Sequence, residues 1–147
     1  MSLLLAPVES VGAWQKCDQD IVITIERQGC FGDCPIYSAK IYADGTVVYK
    51  GVRFVKEIGE RRSRISQKRL QELIGEFEKI KYFSLKDEYR YDENGMSATD
   101  QETTITSLCI KGKKKQVVDY MFTPKELIAL EDKIDSLAGL YKFLGPL

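Results

Sequence analysis

The feature that most constrains this chain is a reversal. Ala43-Asp-Gly45 separates Ile36-Tyr-Ser-Ala-Lys-Ile-Tyr42 from Thr46-Val-Val-Tyr-Lys50. Asp-Gly supplies the positive φ that a tight hairpin requires. Before the turn, Tyr37, Ala39 and Ile41 alternate with Ser38 and Lys40, the pattern of a strand with one buried face. Ile21-Val-Ile-Thr-Ile-Glu-Arg27 alternates in the same way, with Ile21, Ile23 and Ile25 opposite Thr24 and Glu26. After Gly51, Arg53-Phe-Val-Lys-Glu-Ile58 reads as another strand; Gly59 interrupts it and residues 60–65 continue extended. Four strands joined by short links form an antiparallel meander. Tyr42 and Tyr49, near the turn, are expected to pair across it.

The period then changes. Ser66 caps a helix in which Leu70, Leu73, Ile74, Phe77 and Ile80 make one apolar face, ending near Lys81. Residues 87–102 are polar, contain Asn94-Gly95, and read as a long exposed loop. Thr103 to Ile110 is a strand, Lys111-Gly-Lys-Lys114 turns it back, and Gln116 to Met121 returns. Thr123-Pro-Lys-Glu126 has the form of a capping box, with Thr at the cap and Pro at the first helical position. Leu127, Leu130, Ile134 and Leu137 give that helix its apolar face, and Gly139 stops it. The order ββββ-α-ββ-α, with helices that each need a surface to cover, predicts an α+β fold: one antiparallel sheet with two helices packed on one face. Residues 1–20 lack periodicity and are expected to be a loosely ordered N-terminal segment, with Trp14 packing onto the body. Residues 21–147 are expected to form a single domain, as a length of 147 residues allows.

Composition removes several activities. The chain has no histidine, so Ser-His-Asp and Cys-His nucleophiles and Cys-His zinc sites are unavailable. Lys plus Arg and Asp plus Glu each number 22, a balance that disfavours a domain built to bind nucleic acid. Arg61, Arg62, Arg64, Lys68 and Arg69 form one local basic cluster and Lys111, Lys113, Lys114 and Lys115 another. Both read better as charges guarding exposed strands and hairpins. Asp92-Glu-Asn-Gly95 with Asp100 and Glu102 lacks the alternate-position oxygens of a calcium loop. No apolar run approaches the roughly 20 residues of a membrane span. No signal-peptide core is evident, and a cytoplasmic or an exported protein fits equally.

The chemically suggestive segment is Gln28-Gly-Cys-Phe-Gly-Asp-Cys-Pro-Ile-Tyr37. Gly29 and Gly32 permit a sharp turn, and Pro35 fixes φ at the entry to the next strand. Three readings stand. In the structural one, Cys30 and Cys34 form a small disulfide, worth about 2 kcal/mol for so short a loop, or lie as two buried thiols. In the redox one, one of the two thiols is activated, although a loop between strands offers no helix dipole. In the metal one, Cys30 and Cys34 are ligands, joined by Cys17 and Cys109 in an all-thiolate zinc site.

Cys30-Phe-Gly-Asp-Cys-Pro-Ile-Tyr37, followed by Ile41-Tyr-Ala-Asp-Gly-Thr-Val-Val-Tyr-Lys-Gly51, resembles a bacterial family called domain of unknown function 6438. Its pattern is CFG-x-CP-x-Y, an Asp-Gly turn and a Val-x-Tyr-x-Gly strand. Phe83-Ser-Leu85, Asp87, Tyr89 and the Thr-rich strand at Thr103 to Thr106 continue the match, which spans roughly Ile21 to Ala138. The resemblance implies a fold and a shared loop, and no reaction. The residues it carries over are Cys30, Phe31, Gly32, Cys34, Pro35 and Tyr37. The expectation is a non-enzymatic module that binds a protein or small ligand without a cofactor, with Cys30 and Cys34 as a structural loop. The alternative is a thiol-redox or metal-binding protein that uses those two cysteines.

Overall fold

A computed structural model describes residues 17–18, 20–98 and 101–146. The strands are β1 (Ile21–Arg27), β2 (Ile36–Tyr42), β3 (Thr46–Arg53), β4 (Gly59–Arg64), β5 (Glu88–Tyr89), β6 (Thr104–Ile110) and β7 (Lys113–Asp119). The helices are α1 (Gln67–Lys79), α2 (Lys125–Leu137) and the single turn α3 (Tyr141–Leu144). All seven strands share one sheet, ordered β4-β3-β2-β1-β6-β7-β5. Every pairing is antiparallel except β5 with β7. The fold is α+β, and the meander of β1 to β4 forms one half of the sheet. No helix among the described residues is long and apolar enough to cross a membrane.

Strand parity builds the core. Ile23 and Ile25 of β1, Tyr37, Ala39 and Ile41 of β2, Val47 and Tyr49 of β3, Leu108 of β6 and Val117 of β7 are buried on one face of the sheet. Leu70, Leu73 and Phe77 of α1 and Leu127, Leu130 and Ile134 of α2 join the same cluster. The Asp-Gly turn forms as its chemistry requires. Gly45 has φ +91°, and a Cβ there would stand 2.3 Å from the Ile65 carbonyl oxygen. That carbonyl belongs to the chain entering α1, whose Ile65 N–H donates to the Gly45 carbonyl at 2.8 Å. The hairpin and the helix entry thus lock each other.

Several expectations change. Tyr42 and Tyr49 do not pair, because they have opposite parity. Tyr49 is in the core, stacked on Phe143 with ring centroids 4.8 Å apart, and donates its hydroxyl to the Glu57 carbonyl. The strand expected at residues 53–58 is absent. β3 continues to Arg53, Phe54 turns at φ +55°, and β4 starts at Gly59. The Lys56 and Glu57 N–H groups in that connection donate to the Leu144 and Phe143 carbonyls of α3. The exposed loop at 87–102 contains a short parallel strand, β5, which fills the free edge of β7. The β6–β7 turn is tighter than expected, because Lys111 and Gly112 both take positive φ and β7 begins at Lys113.

Ser66 caps α1 as expected, accepting from the Arg69 N–H. The capping box of α2 does not form. Pro124 is the cap, and the Thr123 hydroxyl donates instead to an Asp119 carboxylate oxygen. The expectation of a loosely ordered lead-in with Trp14 on the body falls largely outside the described residues. Within it, Cys17 is bonded to Cys109.

All described cysteines are paired, Cys17 with Cys109 and Cys30 with Cys34. The sequence separations are 92 and 4 residues. By loop-closure entropy the long link is worth about 4.6 kcal/mol and the short one about 2 kcal/mol. Denaturant unfolding under oxidising conditions should show Cys17→Ser/Cys109→Ser losing about twice the stability lost by Cys30→Ser/Cys34→Ser. Equal losses would mean that the long link adds no constraint to the unfolded chain.

Candidate functional site: a locked loop beside a buried polar cluster

β1 ends at Arg27, which has the parity of Ile23 and Ile25 and therefore faces the core. In register it stands between Tyr37 of β2 and Thr104 of β6, and Thr104 stands beside Asp119 of β7. Four polar side chains thus form a row across four central strands on the helix-covered face. α2 lies over the row and contributes Glu131 and Asp135, both buried, at one-turn spacing.

Each nitrogen of the Arg27 guanidinium has an oxygen. Nε donates to the Tyr37 hydroxyl at 2.8 Å, Nη1 to Thr104 Oγ1 at 3.2 Å and Nη2 to Asp135 Oδ2 at 2.8 Å. The Tyr37 hydroxyl donates to the second oxygen, Asp135 Oδ1, at 2.7 Å. Glu102 and Asp132 flank the guanidinium at 3.8 and 3.6 Å. The Arg27 side chain is 13 % exposed and that of Asp135 6 %.

The electrostatics follow from this packing. Burial disfavours a charged guanidinium, but Asp135 and Tyr37 outweigh it and hold Arg27 more firmly protonated than in water. Burial and the Asp135 charge push the Tyr37 hydroxyl above its ordinary value. Burial also raises the Asp135 carboxyl, against the pull of Arg27 and the Tyr37 hydrogen bond. Glu131 differs in kind. It is 3 % exposed, and its Oε2 has no hydrogen-bond partner. Burial, then the hydrogen bond and charge of Asp119, push its carboxyl up to about 9 against the opposing effect of Arg27. Two adjacent carboxylates in a site this dry cannot both ionise cheaply, so Glu131 keeps its proton at neutral pH.

The cysteine loop leaves the sheet directly from this cluster. The Gln28 N–H extends the ladder to the Thr103 carbonyl. Gly29 then turns at φ +89°, where a Cβ would meet the Ile36 side chain at 2.8 Å. Cys30 and Cys34 close the loop with Cα atoms 5.6 Å apart. Phe31 stands outside, 87 % exposed. Gly29 is required here, whereas Gly32 has no positive φ and its nearest contact is Cys30 Sγ at 3.8 Å.

Of the six residues singled out from the sequence, Cys30, Phe31, Gly32, Cys34 and Pro35 stay together in the loop. Tyr37 turns away into the core cluster. The four thiols do not converge. They pair off at opposite ends of β1, so the all-thiolate arrangement with Cys17 and Cys109 is not formed. Arg27, Thr104, Asp119, Glu131 and Asp135 were not anticipated. The signal was present: Arg27 shares the parity of two core isoleucines, and Leu127, Glu131 and Asp135 share one helix face.

Chemically, the cluster is closed on itself. Its cation, its phenol and one carboxylate satisfy one another and offer no free nucleophile. The class defined is an α+β domain that supports a disulfide-closed surface loop on an internal ion-pair network. The chain belongs to the family described as Domain of unknown function (DUF6438), whose model matches residues 21–138. The match runs from the first residue of β1 to the cap of α2 and so includes both loop and cluster. No curated protein matches the chain.

Two outcomes test the cluster. Asp135→Asn should cost about 3–5 kcal/mol in denaturant unfolding, because it leaves the buried Arg27 without its main counter-charge. A loss below about 1 kcal/mol would contradict a buried pair. For Glu131, the folded chain holds the proton to about pH 9 while the unfolded chain releases it near 4.5. Between those values the native state carries the extra proton, so stability falls as pH rises, by up to about 1.4 kcal/mol per unit. Glu131→Gln keeps a donor toward Asp119 and removes that slope. Its stability advantage over the wild type should grow between pH 5 and pH 9 in guanidinium melts. A constant difference would place the proton elsewhere.

Proposed function

We propose that this chain is a non-enzymatic binding module whose recognition element is the Cys30–Cys34 loop, with Phe31 as its anchor for a protein or small ligand. The carrying observation is an aromatic side chain held 87 % in water by a cross-linked turn. Large aromatic rings gain most when they are desolvated in a partner's pocket, and a rigid loop loses little entropy on docking. Gly32, Asp33 and Pro35 shape the same tip, and Cys30 and Cys34 act as its staple. Residues 21–147 act as one unit in this reading, since the loop stands on contacts that reach from β1 to α2. Pairing of all four cysteines fits an oxidising compartment.

A thiol-redox function of Cys30 and Cys34 is the second reading. It is favoured by the position of that disulfide on a surface loop with both cysteines half-buried. A metal role would require the reduced pair.

One comparison tests both readings. The oxidised chain and its Phe31→Ala variant serve as baits in quantitative capture from host extract. Phe31 packs on little, so the variant should melt within about 0.5 kcal/mol of the wild type. It should lose a captured partner by about 2 kcal/mol or more. Equal capture by both baits would overturn the binding reading. Stoichiometric oxidation of a reduced peptide dithiol to its disulfide by the wild type, with the Cys30–Cys34 disulfide reduced to two thiols in exchange and the reaction abolished in Cys30→Ser, would establish the redox reading in its place.

A further inference from the structure

The face of the sheet opposite the helices carries a second feature, at the other end of β1 from the loop. Register aligns Ser107 of β6, Thr24 of β1 and Lys40 of β2 in one row across the strands. Lys114 of β7 is paired with Cys109, two residues along β6 from Ser107. These four side chains line one cavity of about 110 Å³, together with Asp18, Ile21 and Cys109. The space suits a few water molecules, or one tetrahedral oxyanion.

An antiparallel sheet face is flat unless something walls it. Here the wall is covalent. The Cys17–Cys109 disulfide ties the chain just before Asp18 to β6, and the Ile21 N–H closes a turn on the Asp18 carbonyl. The floor is a hydroxyl pair. Thr24 Oγ1 and Ser107 Oγ are hydrogen-bonded to each other, which uses one of their two O–H donors. Neither hydroxyl makes another hydrogen bond among the described residues, and Ser107 is 3 % exposed. The second donor therefore has the cavity to serve.

Two of the arginines on this face are paired. Arg62 lies near Glu60 and Arg64 near Asp44, at 3.5 and 3.9 Å. Lys40 and Lys114 have no ion-pair partner among the described residues. Among the described lining residues, two unpaired ammonium groups, one available O–H and a single rim carboxylate, Asp18, give the cavity a net positive charge. We propose that it is a binding site for a small oxyanion of the phosphate or sulfate class, held between Lys40 and Lys114 over the Thr24–Ser107 floor. The site is independent of the Phe31 loop and does not rest on that loop's function.

The test is an amide NMR titration of the oxidised full chain with inorganic phosphate, and separately with phenyl phosphate, at fixed ionic strength. Saturable shifts centred on Thr24, Lys40, Ser107 and Lys114 are expected. Lys40→Met/Lys114→Met should weaken binding by at least about tenfold, since charge-assisted hydrogen bonds are lost. Saturation with both ligands would indicate a site open to phosphomonoesters, and saturation with inorganic phosphate alone a closed site for the free ion. Unsaturable shifts, shifts spread over all surface lysines, or unchanged affinity in the double variant would overturn the proposal.

Discussion

The structure depends on one buried cation. Arg27 ends the central strand on its core side, and its guanidinium must find partners where solvent is scarce. Those partners come from three directions: Tyr37 from β2, Thr104 from β6 and Asp135 from α2. An apolar helix–sheet interface tolerates small slips of the helix along its axis. This one does not, because each oxygen of Asp135 receives its own donor. The pair is better seen as fixing the register of α2 on the sheet than as a large net source of stability, since desolvation offsets most of the attraction.

The rest of the core is apolar by comparison. Leu70, Leu73 and Phe77 cover the sheet from α1, and the buried Tyr82 hydroxyl is matched by Thr106. The two disulfides mark the two ends of β1. One closes the loop that leaves the sheet after Arg27, and the other ties the approaching chain to β6 before Ile21. The central strand is thus held at both ends, by covalent links outside and by the guanidinium network inside.

How much of this was legible in the sequence depended on the range of the interaction. The Asp-Gly turn, the Ser66 cap and most strand parities are local and formed as the residues imply, but Ile21 did not keep the face of Ile23 and Ile25: an irregularity between Ile21 and Ile23 turns it to the side of Thr24 and leaves Val22 against the core. The α2 cap does not follow its motif because Thr123 has a competitor four residues upstream, Asp119, which lies outside the four residues of the capping box. β5 was missed because two residues carry no period, and α3 because four residues carry little more. The pairing of Cys17 with Cys109 bridges 92 residues and left no local trace. The cluster was half legible. Arg27 stood on the buried parity of its strand and Asp135 on the buried face of its helix, but only the fold could show that the two positions meet.

Charge balance explains why the cluster contains a proton as well as a cation. Glu131 and Asp135 both feel the Arg27 guanidinium, and Asp119 lies against Glu131. Fully ionised, the three carboxylates would exceed that cation by two charges in a site with little water to screen them. Protonating Glu131 halves the excess and lets its carboxyl donate to Asp119, which already accepts from Thr123. The proton belongs on Glu131 because it is the carboxyl left without a cation or hydroxyl of its own: Asp135 has Arg27 and Tyr37, and Asp119 has Thr123. Within this network Arg27, Tyr37 and Asp135 satisfy one another, while Glu131 Oε2 stays without a hydrogen-bond partner. The network ties the end of β1 to β2, β6 and α2 three residues before the chain reaches Cys30.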